Sequence, residues 1–145
     1  QTASITSPSE EATGSWADLL IGEWSRNPSS WDVVDAVTGV SVRPGYSGEW
    51  FTFRADGTFR NIVLGSGQFI SGVAIVNGKY RVEADQLILY ERLESWRPDP
   101  THPGQKPAFD NNPVADETYG ISFGDEGQLI LANQYGGTDT FYPRP

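Results

Sequence analysis

The sequence predicts an all-β fold, an antiparallel meander β-barrel of about eight strands. Three observations carry that expectation. Short runs rich in aromatic and β-branched residues recur along the chain, several of them alternating apolar with polar. Turn residues punctuate them, as at Ala55-Asp56-Gly57, Asn77-Gly78 and Gly124-Asp125-Glu126-Gly127. No long amphipathic helical period lies between them, so crossover connections are missing and the strands must pair antiparallel. An open sheet of that many strands exposes two edges, and closure into a barrel removes them. At 145 residues the chain suits one core rather than two.

The elements follow in order. Residues 1–15 are small, polar and aperiodic, so they bury too little apolar surface to fold and read as a disordered tether. The missing start methionine suggests an export or lipid-anchor signal upstream of that tether, and hence an extracellular or cell-surface location. The barrel domain spans 16–145. Trp16, Leu19 and Leu20 stand at i, i+3 and i+4, one helical turn with Ser15 as N-cap, and Gly22 ends it. Trp31 to Val34 and Val40 to Val42 are short strands or parts of a long loop over an opening. Glu49 to Arg54 is an aromatic strand, and Ala55-Asp56-Gly57 turns into a return strand from Thr58 to Leu64. After Gly65-Ser66-Gly67, a strand runs from Phe69 to Val76. Asn77-Gly78 is the strongest short hairpin signal, and Lys79 to Glu83 alternates with Tyr80 and Val82 inward. Gln86 to Leu93 follows.

Glu94 to Asp116 holds five Pro and reads as an irregular loop. Strand character returns at Thr118 to Phe123, with Tyr119, Ile121 and Phe123 on one face, then at Leu129 to Leu131 and Thr138 to Tyr142. Asp85-Gln86-Leu87-Ile88-Leu89 is echoed by Gly127-Gln128-Leu129-Ile130-Leu131, a repeated hairpin unit.

Composition excludes several function classes. The net charge is −9, and the ten Lys and Arg are scattered, which argues against nucleic acid and anionic membrane surfaces. No apolar run reaches the roughly 18 residues of a membrane helix. Without Cys there is no disulfide, thiolate metal site or cysteine nucleophile.

In their order along the chain, these segments resemble the lipocalin-like, or calycin, barrels. Gly22-Glu23-Trp24 after a helical turn is similar to that group's Gly-x-Trp signature. Phe53-Arg54-Ala55-Asp56-Gly57-Thr58 resembles the aromatic-x-x-Asp-Gly-Thr hairpin of small bacterial lipocalin-like domains, many of them lipoproteins. Gly78-Lys79-Tyr80-Arg81-Val82, Asp85-Gln86-Leu87-Ile88-Leu89 and Phe141-Tyr142-Pro143-Arg144 are also like them. The resemblance covers Trp16 to Arg144. It implies a barrel, often a small apolar ligand inside it, and closure of the base by Arg144 lying over Trp24, a cation–π contact.

Candidate chemistry is sparse. His102, the single imidazole, sits in a Pro-rich stretch without triad partners. Glu23, Glu49, Glu91 and Glu117 are carboxylate candidates, yet no spacing makes two of them face each other. Asp99, Asp110 and Asp116 with Asn111 and Asn112 offer oxygens but not an EF-hand spacing. No nucleophile–base constellation appears, so no enzyme, cofactor or metal is expected. The expected function is an exported, monomeric binding protein with a small hydrophobic ligand in the barrel, touched by Trp50, Phe69 and Tyr90. Phe51 and Phe53 compete with Trp50 for the inward face. Trp31 and Trp96 flank the irregular regions and stand ready at the mouth, to stack on a glycan or cover a ligand. The second expectation is a filled barrel that binds protein or polysaccharide through its long loops.

Overall fold

The computed structural model describes residues 18–27, 48–66, 71–98 and 107–145. Within them lie nine strands: β1 (Gly22–Ser25), β2 (Gly48–Phe53), β3 (Thr58–Ser66), β4 (Ser71–Glu83), β5 (Gln86–Pro98), β6 (Phe109–Val114), β7 (Glu117–Phe123), β8 (Leu129–Ala132) and β9 (Thr138–Pro143). All pairs are antiparallel. The sheet order β4-β3-β2-β1-β9-β8-β7-β5 returns to its start through β4–β5, which closes an eight-stranded barrel. The all-β meander read from the alternation and the turns is therefore the fold.

The ninth strand adds no stave to the barrel. Leu89 lies opposite Glu117, and Arg92 lies opposite Val114. The step is the same on both sides, so β6 and β7 follow one another along a single edge of β5. Glu94 to Pro98 and Phe109 to Val114, expected to be irregular, are thus strand. Pairing overrides the Pro content because β5 supplies a partner and Pro113 falls on the outer strand, where a missing N–H is tolerated. The expected turn at Asn77-Gly78 is also corrected. Both residues lie inside β4, at a bulge where β5 carries one extra residue and Glu91 adopts φ 49°. Glycine is needed there because a Cβ would stand 2.9 Å from Phe59 Cε1 and from the Tyr90 carbonyl.

The Asp-Gly-Thr hairpin forms as expected. Asp56 Oδ1 accepts from the Thr58 N–H at 3.0 Å and from the Thr58 hydroxyl at 2.6 Å, and Gly57 takes φ 86°. The repeated Gln-Leu-Ile-Leu unit is repeated in space too. Leu87, Leu89, Leu129 and Leu131 are all buried, while Ile88 and Ile130 are half-buried on the other face. Of the helical turn, residues 18–20 are described, with Leu20 buried and Leu19 exposed. The short strands expected at Trp31 to Val34 and Val40 to Val42 lie outside the described residues.

Every barrel stave sends side chains to one core: Trp24, Phe51, Phe53, Phe59, Tyr80, Leu87, Ile121, Leu129 and Phe141 are among them. A second buried cluster, Trp50, Ile62, Leu64 and Val73, lies on the opposite face of β2, β3 and β4. Strand lengths are uneven. β4 and β5 have 13 residues each, whereas β1 and β8 have four, so one wall of the barrel stands taller than the other.

Candidate functional site

The lower lumen is filled. Phe51 stacks on Phe53 at 5.2 Å between centroids, Phe141 meets Phe51 edge-on at 5.3 Å, and Tyr80 meets Phe53 edge-on at 5.1 Å. Phe59 leans on both Phe51 and Phe53. These are favourable aromatic geometries within van der Waals reach. Trp24 lies opposite Phe51, and its indole N–H donates to the Leu20 carbonyl at 2.8 Å, which ties the helical piece to the same core.

Above the aromatic layer, alternation brings polar residues to the inner face. Glu49 lies two residues before Phe51, Arg26 two after Trp24, and Asp139 two before Phe141. Arg26 bridges Glu49 and Asp139, each at 3.0 Å, and its guanidinium lies 5.6 Å from the Phe141 ring centre. Asn61 Nδ2 donates to Glu49 Oε2 at 3.1 Å and to the Trp50 carbonyl at 3.0 Å. Burial raises the Glu49 pKa above the ordinary carboxylate value, against the lowering pull of Asn61 and Arg26. Across the mouth, Arg92 pairs with Glu117 at 3.3 Å and donates to the Ala115 carbonyl. Tyr119 donates its hydroxyl to Glu117 at 2.7 Å, and desolvation first, then Glu117, drives its pKa upward. A band of paired charges thus rims the packed interior.

Beside this band the wall opens. Gly120 opposite Ala132 is the last β7–β8 pair, and beyond it β7 continues to Glu117 along β5 alone. The parting strands leave a groove of about 600 Å³, lined by 116–120, by 132–135 and by Gln86. Its lining mixes carboxylates, amides, Gly120, Ala132 and the ring of Tyr135. Tyr135 is 86% exposed. It is carried by the β8–β9 turn, in which Asn133 Oδ1 accepts from the N–H groups of Tyr135 at 2.9 Å and Gly137 at 3.1 Å. Backbone bonds between Asn133 and Gly137 and between Gly136 and Asn133 close the same turn.

The sequence-derived candidates are dispersed by this geometry. Trp50 faces away from the lumen because Phe51 and Phe53 take the inner positions of β2, which corrects its expected facing. Tyr90 also faces outward, since Leu87 and Leu89 fill the inner positions of β5, and Arg81 lies over its ring at 4.9 Å. Trp96 is buried high on the tall wall, opposite Ala74 and Phe109, with its ring over Gly72. Trp31 and Phe69 lie outside the described residues, as does His102. Arg144 pairs with Glu23 at 3.1 Å and donates its backbone N–H to the Glu23 carbonyl, tying the end of β9 to β1 beside Trp24.

Two of the four candidate carboxylates, Glu49 and Glu117, do reach the mouth, each held by an arginine. Glu91 pairs outward with Lys79. Among the described residues no three His, Asp or Glu side chains gather as a metal set, and no helix is long and apolar enough to cross a membrane.

Sequence reasoning did not single out Tyr135, Asn133 and Gln86, which line the groove, or Arg92, which holds Glu117. One signal was available for Tyr135, since an aromatic residue inside a tight hairpin turn has no core to enter.

Fold and mouth together define a closed antiparallel barrel with a packed base and a polar, notched rim. That architecture is compatible with the lipocalin-like fold. The chain matches no family model, no curated protein and no solved structure.

Proposed function

We propose that this chain is an exported, non-catalytic binding module whose barrel is a packed scaffold and whose ligand is polar and held at the notched mouth. One observation carries the reading: the lower lumen is occupied by the protein's own aromatic rings, while the rim holds a groove of about 600 Å³ with mixed polar and apolar lining. Such a volume lies within the roughly 300–1,000 Å³ of small-ligand sites. An apolar ligand seated deep in the barrel would have to displace Phe51, Phe53, Phe59 and Phe141, and emptying such sites costs about 3–5 kcal/mol per aromatic ring. The geometry therefore favours the filled-barrel expectation over the lumenal ligand. The paired charges of Arg26, Glu49, Arg92 and Glu117 serve this reading by holding the rim in shape.

The test is a set of amide nitrogen–proton spectra recorded with polar probes (monosaccharides, amino acids, short peptides) and with oleate as the apolar probe. A polar probe should move the resonances of 116–120 and 132–135 while oleate leaves Phe51, Phe53 and Phe59 in place. Saturable oleate shifts at those three residues, or no shift by any polar probe, would overturn the reading.

A further inference from the structure

We infer that the notch between β7 and the β8–β9 turn binds an uncharged sugar, with Tyr135 as its stacking platform. The inference rests on the mouth-binding reading and names the ligand class. A pyranose ring has apolar C–H faces and a rim of hydroxyl groups that both donate and accept. A site for it needs an exposed flat ring beside groups of both hydrogen-bonding kinds, and little positive charge.

The notch supplies each of these. Tyr135 offers a large, rigid face, and tyrosine loses little conformational freedom when it makes contact. Its turn is already fixed by the two hydrogen bonds to Asn133 Oδ1 and by the backbone bonds of 133–137. Ordering of that loop is therefore not charged against binding. Gln86 and Gln134 carry amides that donate and accept, and Glu117 accepts. Gly120 and Ala132 leave room where the strands part. Among the described lining residues none is Lys, Arg or His, whereas Asp116 and Glu117 are acidic, Glu117 being paired with Arg92 at 3.3 Å. An anionic ligand, whether phosphate, sulfate or uronic acid, would meet the Asp116 carboxylate there; an uncharged sugar carries no charge for it to repel.

The role of Asn133 is positional. A Cβ at Gly137 would stand 3.1 Å from Asn133 Nδ2, so a larger residue there would press on the amide that holds the turn. Asn133→Ala removes the two side-chain bonds that brace the turn and leaves its backbone bonds and the Tyr135 ring intact, so it separates the presence of the ring from its placement.

The experiment is affinity electrophoresis of the full chain in gels cast with neutral polysaccharides (a soluble starch, a mannan, hydroxyethyl cellulose) and with acidic ones (alginate, polygalacturonate). At least one neutral polymer should retard the protein and neither acidic polymer should. Tyr135→Ala should weaken that retardation about ten-fold, Tyr135→Phe should keep most of it, and Asn133→Ala should fall between. Thermal unfolding of Tyr135→Ala should match the parent, since the ring is exposed. Retardation by no neutral polymer, equal retardation of Tyr135→Ala, or preference for the acidic polymers would each overturn the sugar assignment. If an amino acid or peptide moves the resonances of 132–135 while every sugar fails, the sugar inference falls and the mouth-binding reading stands. If oleate moves the lumenal residues, the mouth-binding reading itself falls.

Discussion

Trp50 and Phe51 are consecutive in β2 and are buried on opposite faces of it. Phe51 joins the barrel core, and Trp50 is 2% exposed among Ile62, Leu64 and Val73 on the outside. Side chains alternate along a strand, so two neighbouring aromatics cannot share a face. Each should behave as a core residue of its own cluster. Phe51→Ala and Trp50→Ala should each cost about 3–5 kcal/mol in urea unfolding. A loss below about 1 kcal/mol for Trp50→Ala would show that the outer cluster is not a second core.

Gly78 sits in β4 between Phe59 of β3 and the Tyr90–Glu91 bulge of β5. An added Cβ would stand 2.9 Å from Phe59 Cε1, 2.9 Å from the Tyr90 carbonyl and 3.1 Å from the Glu91 carbonyl. Two of those neighbours are backbone and cannot rotate away. Gly78→Ala should therefore destabilise by about 1–3 kcal/mol. Gly65, also in a strand, has nothing within 4 Å of such an atom among the described residues, so Gly65→Ala is the control and should change stability by less than about 0.5 kcal/mol. Equal effects of the two substitutions would refute the close-approach account of Gly78.

Gly78 and Trp50 also show which parts of the protein are legible in its sequence. Alternation at Tyr80, Val82, Tyr119 and Ile121 is a local signal, and it marks inner residues directly. The Asp56-Gly57-Thr58 turn is likewise local, since its hydrogen bonds span two residues. Asn77-Gly78 carries the strongest turn signal of all, yet the glycine answers to Phe59 and Tyr90, which are remote in sequence. The reach of β5 past Glu94 is hidden for the same reason, because its partner β6 overrides the composition. The mouth is least legible. Arg26, Glu49 and Asp139 form one ion cluster, but no spacing rule joins positions so far apart: the pairing of β1 with β2 brings Glu49 to Arg26, and the closure of β9 on β1 adds Asp139.

Glu49 makes stability depend on pH in a definite direction. Burial raises its pKa in the folded chain above the ordinary 4.5, with Asn61 and Arg26 opposing. Below 4.5 both folded and unfolded chains hold the proton. As pH rises from 4.5, the unfolded chain releases it first, so this group's contribution to stability falls until the folded chain ionises too. Glu49→Gln keeps an acceptor for Asn61, and Arg26 retains Asp139 at 3.0 Å. The melting temperature of Glu49→Gln relative to the parent should rise as pH climbs from 4.5, then level off. Melting curves across pH 4 to 8 in both proteins provide the check, and a difference that shrinks with pH would reverse the assignment.

Tyr80 ties β4 to the end of the β2–β3 hairpin. Its hydroxyl donates to the Arg54 carbonyl at 2.8 Å, and burial raises its pKa first, with the Asp56 charge adding to the shift. The Arg54 carbonyl also accepts from the Gly57 N–H at 3.1 Å, so removing the hydroxyl does not strand it. A net hydrogen bond of this kind contributes about 0.5–1.5 kcal/mol, and the second donor puts Tyr80→Phe toward the lower end. The ring itself stays, edge-on to Phe53, and the core volume is unchanged. Tyr80→Phe should thus lower stability by about 0.5–1 kcal/mol and speed hydrogen exchange at the Gly57 amide more than at Leu89 in the core. Uniform acceleration at both amides would mean that the hydroxyl stabilises the barrel as a whole rather than pinning the hairpin.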